Sequence, residues 1–319
     1  MNHTTALRSL RLTRHFDASA ERVFDAWLDP ATAGRWLFAT DSGEMLNVEI
    51  DPRVGGRFSF TRRDGEDVEH VGEYLEIDRP RRLVFTFAVP KYDPAVTRVT
   101  LDITPVGQGC ELVLTHEDVL PEWSDATQQG WGMILGHLAE NLRNHPPRQR
   151  LAADTIRFER LLPGPIERVW AYLTESEKRG QWLSSGAMEL RIGSEFELHF
   201  HHIELSRTPV AAPARFKDHA DGVTSRHQVT ACDPPRLLGF TWGNPAQPSE
   251  VRFELAPQGD QVRLVVTHSR LQPADIAGTS GGWHTHLDVL YDRLAGRLPQ
   301  PFWPIASRLV DRYERAGAP

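Results

Sequence analysis

Two stretches of the chain carry the same helical pattern of apolar residues. In the segment 130–142, GWGMILGHLAENL, the apolar positions fall at i, i+4, i+7 and i+11, which is one face of a helix. The segment 282–294, GWHTHLDVLYDRL, repeats the pattern. The two stripes are Trp131, Leu135, Leu138 and Leu142, and Trp283, Leu287, Leu290 and Leu294. Each follows an apolar run ending in Thr-His, so the pattern predicts two long helices, each preceded by a strand.

Within the first copy, alternating apolar and polar positions predict a series of strands. The predicted strands are 10–16, 57–61, 72–77, 82–88, 98–104 and 110–116. Helical spacing predicts short helices at 20–28, with Ser19 as the N-cap, and at 30–36. Turn residues at 64–65 and 107–109 join consecutive strands, which favours an antiparallel sheet. The predicted fold class is therefore α+β.

The whole domain occurs twice in the sequence, in the same order. ERVFDAWLDPATAGRWL at 21–37 matches ERVWAYLTESEKRGQWL at 167–183, and DRPRRLVFTF at 78–87 matches DPPRLLGFTW at 233–242. Extra residues precede the Gly-Gly strand of copy one, and a loop-like insertion, RTPVAAPARFKDHADG, lies at 207–222 in copy two. We predict a first domain at 1–145, a linker at 146–154, a second domain at 155–298 and an extension with a short helix at 299–319.

Composition and charge exclude several classes of partner. The net charge is −7, which does not favour nucleic acid or an anionic membrane surface. No apolar run is long enough to span a bilayer, and the N-terminus lacks an apolar signal-peptide core. The only cysteines, Cys110 and Cys232, fall in different copies, so we expect free thiols in a reducing compartment. The sequence thus predicts a cytoplasmic protein without membrane insertion.

Strand periodicity also indicates which side chains face the space between sheet and helix. Leu112, Leu114 and His116 share one face of the last strand, and Leu264, Val266 and His268 match them in copy two. Neighbouring strands add the apolar residues Leu83, Phe85 and Phe87, and Leu238, Phe240 and Trp242. We predict an apolar and aromatic inner wall with a histidine at its rim.

These residues resemble the helix-grip fold of the SRPBCC, or START/Bet v 1-like, superfamily, and most closely its AHSA1-like branch, named for the activator of Hsp90 ATPase. The resemblance rests on a series of short motifs. They are Arg-x-Phe at 14–16, Glu-Arg-Val at 21–23, the Trp-Leu pairs at 36–37 and 182–183, Gly-Gly-Arg-Phe at 55–58, the segment PRRLVFTF at 80–87, Thr-His at 115–116 and Gly-Trp at 130–131. It covers nearly the whole chain, twice. It implies a curved antiparallel sheet wrapped around a long C-terminal helix, with two short helices after the first strand. Family members include lipid and natural-product binders, cyclases, resistance proteins and co-chaperones.

The resemblance implies a deep cavity that opens near the start of the long helix. The residues that we expect to contact a ligand there are Trp36, Phe58, Phe85, Phe87, His116, Trp131, Leu135, Trp182, Phe200, His202, Phe240, Trp242, His268, Trp283 and Leu287. The alternative interpretation is that the His and Trp residues are core. Core packing is the favoured interpretation for Trp36 and Trp182.

Three further patterns have weaker functional interpretations. His199 and His201 share a strand face and could chelate a metal, but no third ligand is evident, so no metal site is predicted. Residues 278–282, GTSGG, match Gly-x-Ser-x-Gly, but a loop is expected before them rather than the buried strand of a nucleophile elbow. His284 and His286 point about 200° apart on a helix, so at most one of them faces the cavity.

The leading functional prediction is binding of an apolar or aromatic small molecule in one or both cavities, for carriage, sequestration or resistance. No cofactor is predicted, and a homodimer is left open. One alternative is an enzyme, such as a polyketide cyclase or a hydrolase-like protein, that uses His116 or His268 as acid-base. No conventional catalytic motif supports that alternative. Another alternative is a co-chaperone-like interaction protein, although the N-terminal segment expected of true activators is absent.

Overall fold

A computed structural model describes residues 7–40, 42–243 and 246–317 of the chain. The chain divides into two compact units, residues 1–143 and 144–319. Each unit contains one seven-stranded antiparallel sheet followed by a long helix, which confirms the tandem α+β helix-grip architecture. The finer domain boundaries given above remain a prediction. No helix of the described residues is long and apolar enough to cross a membrane.

Domain one follows the expected order of elements, with one additional strand. Its helices are α1 (Ala20–Leu28) and α2 (Ser124–Asn144). Its strands are β1 (Arg8–Phe16), β2 (Glu44–Ile50), β3 (Arg57–Asp64), β4 (Glu66–Asp78), β5 (Arg82–Val89), β6 (Asp93–Val106) and β7 (Gly109–Val119). The strand order in the sheet is β1-β7-β6-β5-β4-β3-β2. Each strand of this sheet pairs with strands that are adjacent to it in the sequence, except that β1 pairs with β7.

The sheet and α2 of domain one meet through the predicted faces. Trp131, Leu135, Leu138 and Leu142 are buried, and so are Cys110, Leu112, Leu114 and His116 along β7. The Ser19 side chain accepts a hydrogen bond from the Arg22 N–H, which confirms it as the N-cap of α1. These elements form where the 3.6- and 2-residue periods are regular.

Domain one differs from the sequence-based expectation in two places. The second short helix shrinks to a 3₁₀ turn, Ala33–Arg35, because the Asp29 carboxylate accepts from the Ala31 N–H and the Thr32 hydroxyl and so starts a turn. Strand β2 was not predicted. Its register shifts between Met45 and Asn47, and this irregularity breaks the alternation that marks a strand.

Domain two repeats the arrangement and adds a C-terminal helix. Its helices are α3 (Ile166–Thr174), α4 (Ser176–Gly180), α5 (Ile276–Ala295) and α6 (Phe302–Gly317). Its strands are β8 (Gln149–Ala152), β9 (Thr155–Pro163), β10 (Glu195–Phe200), β11 (Val223–Asp233), β12 (Leu237–Trp242), β13 (Ser249–Gln258) and β14 (Gln261–Ser269). The strand order in the sheet is β10-β11-β12-β13-β14-β9-β8.

Three segments of domain two differ from expectation. The segment expected as a linker contains β8, a fully exposed edge strand that pairs with β9 and therefore shows no apolar alternation. The insertion at 207–222 is not all loop, because Ala214–His219 forms a 3₁₀ helix. The glycines at 278–282 lie inside α5 rather than before it. The C-terminal helix forms as expected, with Ile305, Leu309 and Tyr313 buried.

Candidate functional site

A chain of hydrogen bonds joins the long helix of domain one to its sheet. The indole Nε1 of Trp131 donates to Nδ1 of His116 over 2.9 Å. Nε2 of His116 lies 2.7 Å from Oγ1 of Thr97, whose hydroxyl donates to the carbonyl oxygen of Phe87 over 2.8 Å. Because an indole N–H only donates, Nδ1 of His116 accepts, and the neutral ring carries its hydrogen on Nε2.

Domain two repeats the same chain with a serine in place of the threonine. Trp283 Nε1 donates to His268 Nδ1 over 2.9 Å, and His268 Nε2 lies 2.8 Å from Ser249 Oγ. The Ser249 hydroxyl in turn donates to the Trp242 carbonyl oxygen over 3.0 Å. Each hydrogen bond therefore has an equivalent in the second copy, with the Trp, the His and the hydroxyl residue 152 positions later and the carbonyl residue 155 positions later.

These contacts give His116 and His268 a positioning role between strand and helix. Burial lowers the pKa of His116 to about 4 and the pKa of His268 to about 3, so both rings are neutral near pH 7. Both nitrogens of each ring are engaged within the protein. The interpretation of these residues as acid-base catalysts therefore finds no free proton donor or acceptor in this geometry.

The interior of domain one is filled by aromatic rings. Phe38 stacks on His70 with ring centroids 4.4 Å apart and planes within 10°. The Phe38 ring also lies 5.5 Å from Phe87 and 6.1 Å from Trp131. A cavity of about 150 Å³ lies at the rim, lined in part by Phe87, His116 and Thr127.

Domain two leaves the equivalent space open. Ser184 follows the second Trp-Leu pair as Phe38 follows the first, so the ring of Phe38 has no counterpart at this repeat position. Its hydroxyl is buried and has no hydrogen-bond partner among the described residues. Two adjoining pockets of about 270 and 460 Å³ lie here. Both pockets are lined by His202, His219, Trp242, Gly243, Thr279, Gly282 and His286.

The insertion and the C-terminal helix build one wall of this cavity. Phe302 and Trp303 of α6 line it, and Phe216 of the insertion stacks on Trp303 with ring centroids 5.3 Å apart. Arg215 bonds Glu314 over 2.6 Å and also pairs with Asp311, so the insertion is tied to α6. The sequence repeat provides no counterpart of this wall in domain one.

A glycine allows α6 to approach α5 closely. A Cβ atom added at Gly281 would lie 2.4 Å from Val310 Cγ2 and 2.9 Å from the Val310 backbone nitrogen. Ser280 beside it is buried, donates to the Ile276 carbonyl oxygen and accepts from Arg148. The Gly-x-Ser-x-Gly match is thus a helix-packing feature and not a nucleophile elbow.

The predicted ligand-contacting residues fall into two groups in the structure. Those that line a cavity are Phe87 and His116 in domain one, and Phe200, His202, Trp242 and Trp283 in domain two. Those packed in the core behind it are Trp36, Phe58, Phe85, Trp131, Leu135, Trp182, Phe240, His268 and Leu287. Core packing of Trp36 and Trp182 agrees with the favoured interpretation.

Sequence reasoning missed several residues of the site. Phe38 and Ser184 occupy the same repeat position, and comparison of the two copies could have revealed that domain two lacks the Phe38 ring. No pattern in the sequence pointed to Phe302 and Trp303, because α6 reaches the cavity only in the folded chain. The structure also shows which of His284 and His286 faces the cavity. His286 lines the cavity, whereas His284 bonds the Tyr313 hydroxyl over 2.8 Å.

His199 and His201, the two histidines considered as metal ligands, do not share a strand face. The strand ends at Phe200, so His201 lies beyond it, and His199 Nδ1 lies 3.0 Å from the Thr224 hydroxyl. Among the described residues, no group of three or more His, Cys, Asp or Glu side chains is arranged to hold a metal ion.

Solved structures that resemble this chain each span about half of it. An NMR structure of a Bordetella parapertussis protein is 48% identical, covering 52% of this chain and 88% of its own, with a TM-score of 0.47. A Chromobacterium violaceum protein is 28% identical, covering 41% and 94%, with a TM-score of 0.39. An AHSA1-like protein of Aeromonas hydrophila is 22% identical, covering 43% and 92%, with a TM-score of 0.38.

The family comparison matches the chain twice. The sequence profile described as "Activator of Hsp90 ATPase homolog 1-like protein" matches residues 17–143 and 163–295. Comparison with curated proteins gives no match. The two matched regions contain strands β2 to β7 and β10 to β14 with nearly all of both long helices. Strands β1 and β8, almost all of β9, and helix α6 lie outside them. The chain therefore belongs to the activator of Hsp90 ATPase homolog 1-like family, with two tandem domains of that family.

Proposed function

We propose that the protein binds an apolar or aromatic small molecule in the cavity of domain two, and that domain one is a filled structural domain. The contrast in cavity size carries this proposal. Small-molecule pockets usually measure about 300–1,000 Å³. The larger pocket of domain two, about 460 Å³, falls in this range, whereas the 150 Å³ cavity of domain one does not.

The wall of the domain two cavity suits a flat apolar ligand. Trp242 and Trp283 lie together on one side, with ring centroids 5.1 Å apart. Phe302 and Trp303 add aromatic surface from α6, with centroids 5.2 Å apart. Aromatic pairs contribute about 0.5–1.5 kcal/mol each beyond the burial of area. A planar ring placed among these side chains gains from both effects.

Carriage, sequestration or resistance fits the site better than turnover. His268, the catalytic candidate of this domain, accepts a hydrogen bond from Trp283 at Nδ1 and donates one to Ser249 at Nε2, so neither nitrogen is free. The Ser280 hydroxyl donates to a backbone carbonyl and is buried. Cys110 and Cys232 are free thiols, which is consistent with the cytoplasm as the proposed location.

A matched pair of variants tests which domain binds. Thr279 lines the domain two cavity, and Thr127 occupies the equivalent position in domain one. Both are partly exposed helix residues, so a larger side chain is tolerated at either position. The binding of 2-naphthol to the full chain is measured by isothermal titration calorimetry for the native protein, Thr279→Phe and Thr127→Phe.

The proposal predicts a single site per chain. Thr279→Phe should weaken 2-naphthol binding by tenfold or more, because the added ring occupies the cavity. Thr127→Phe should leave the affinity unchanged. Loss of binding in Thr127→Phe with retention in Thr279→Phe would assign the ligand to domain one and overturn the proposal. Absence of binding to the native protein by a panel of planar aromatic compounds would also count against it.

A further inference from the structure

One imidazole of the domain two cavity has its acceptor nitrogen fixed by the fold. His286 Nδ1 lies 2.7 Å from the carbonyl oxygen of Trp182. A carbonyl oxygen only accepts, so Nδ1 carries the hydrogen, and Nε2 of the neutral ring has a free lone pair. Burial lowers the pKa of His286 to about 4. Nε2 is therefore a hydrogen-bond acceptor on a ring that lines the cavity, and no described residue donates to it.

A second imidazole with an unused nitrogen lies beside it. The ring centroids of His202 and His286 are 5.3 Å apart. Nδ1 of His202 is buried and has no hydrogen-bond partner among the described residues. Burial, together with the neighbouring histidines His286, His219 and His201, lowers the pKa of His202 to about 2. A buried polar nitrogen without a partner costs free energy, which a ligand that bonds to it recovers.

Aromatic rings enclose this polar pair. Phe302 lies 4.6 Å from His202 and 4.7 Å from His286 between ring centroids, and Trp303 lies 4.8 Å from His202. Trp242 and Trp283 also line this cavity. The site therefore combines apolar aromatic surfaces with unpaired hydrogen-bonding nitrogens.

We propose that this cavity takes a planar aromatic compound that carries a hydroxyl group, a phenol, whose O–H donates to Nε2 of His286. This inference rests on the proposed function and specifies its ligand class. His202 Nδ1, which is also unpaired, offers a second polar group on the neighbouring ring. The N–H of His286 is already used by Trp182, so a carboxylate would meet an acceptor and lose its hydration without a matching cation.

This specificity belongs to domain two alone. The residue of copy one that corresponds to His286 is Ile134, 152 positions earlier. The substitution His286→Ile therefore gives domain two the residue that domain one already tolerates at the same helix position. It removes the acceptor nitrogen and leaves the aromatic walls in place.

The test compares two isosteric ligands on two proteins. Affinities of 2-naphthol and 2-methylnaphthalene, which differ by a hydroxyl and a methyl group, are measured by calorimetry on the full native chain and on His286→Ile. The preference for 2-naphthol should fall by about tenfold in the variant, since an unmet buried acceptor no longer favours the donor ligand. Melting temperatures of both proteins show whether the variant is folded.

The outcomes separate this inference from the proposed function. An unchanged preference in a folded His286→Ile variant would overturn the phenol assignment and leave aromatic binding intact. Tighter binding of 2-methylnaphthalene or of naphthalene-2-carboxylate than of 2-naphthol by the native protein would overturn it without any variant. If the native protein bound none of these compounds, the proposed function itself would fail.

Discussion

Acidification should destabilise domain two through histidines that are buried in the neutral form. His268 is fully buried, and its pKa in the folded protein is about 3, compared with about 6.5 for an unperturbed histidine. Because the folded pKa is the lower one, the unfolded chain binds the proton between these values. The contribution of His268 to stability is therefore complete above pH 6.5 and is lost progressively as the pH falls towards 3.

The expected loss can be estimated for a single residue. Between pH 7 and pH 5, protonation of an unfolded-state histidine lowers the free energy of unfolding by about 2 kcal/mol, at about 1.4 kcal/mol per pH unit below 6.5. The variant His268→Asn retains an oxygen that can accept from the Trp283 indole, and it does not titrate. Its free energy of unfolding should be lower by about 1–3 kcal/mol at pH 7, since the bond to Ser249 is lost.

The assay is urea unfolding of the native protein and His268→Asn at pH 7 and pH 5, followed by circular dichroism. Between these pH values, the free energy of unfolding of His268→Asn should fall by about 2 kcal/mol less than that of the native protein. His201→Asn changes an exposed histidine and serves as the control, with the native pH dependence expected. If His268→Asn lost as much stability on acidification as the native protein, His268 would not be held neutral in the fold.

Two further predictions concern packing. Ser184→Phe places in domain two the ring that Phe38 supplies in domain one. The affinity for 2-naphthol, measured by calorimetric titration, should therefore drop by tenfold or more. An unchanged affinity would show that the Phe38 ring is not what fills domain one. Gly281→Ala should lower the free energy of unfolding by about 1–3 kcal/mol, because its methyl group would overlap Val310. Gly282→Ala, which meets no atom within 4 Å, should be neutral or stabilising by about 0.4–1 kcal/mol, and equal melting temperatures for both variants would contradict the close packing of α6 on α5.

The fold was largely predictable because regular periods and an internal repeat coincide. The stripe from Trp131 to Leu142 and the alternation along 110–116 gave the long helix and the inner face of the sheet. Strand β2 was missed because a bulge interrupts its alternation. Strand β8 was missed because both of its faces are exposed, so burial leaves no pattern in its sequence.

The site was predictable only in part, because it depends on contacts between distant segments. The alternation of side chains along the predicted strand placed Trp242 on the inner face of the sheet, and the structure places it on the cavity wall. The hydrogen bond that fixes the tautomer of His286 comes from the Trp182 carbonyl, 104 residues away. The aromatic contacts of His202 come from α6, which lies outside both regions matched by the family profile. No local pattern in the sequence records such contacts.

The most direct test of ligand binding in domain two is an NMR measurement of the full chain with its tryptophan side chains isotopically labelled. Intermolecular nuclear Overhauser effects are recorded between 2-naphthol and the indole protons. We predict contacts from the ligand to Trp242, Trp283 and Trp303, which line the domain two cavity, and none to the buried Trp131 of domain one. Contacts to Trp131 without contacts to Trp283 would place the ligand in domain one and contradict the assignment.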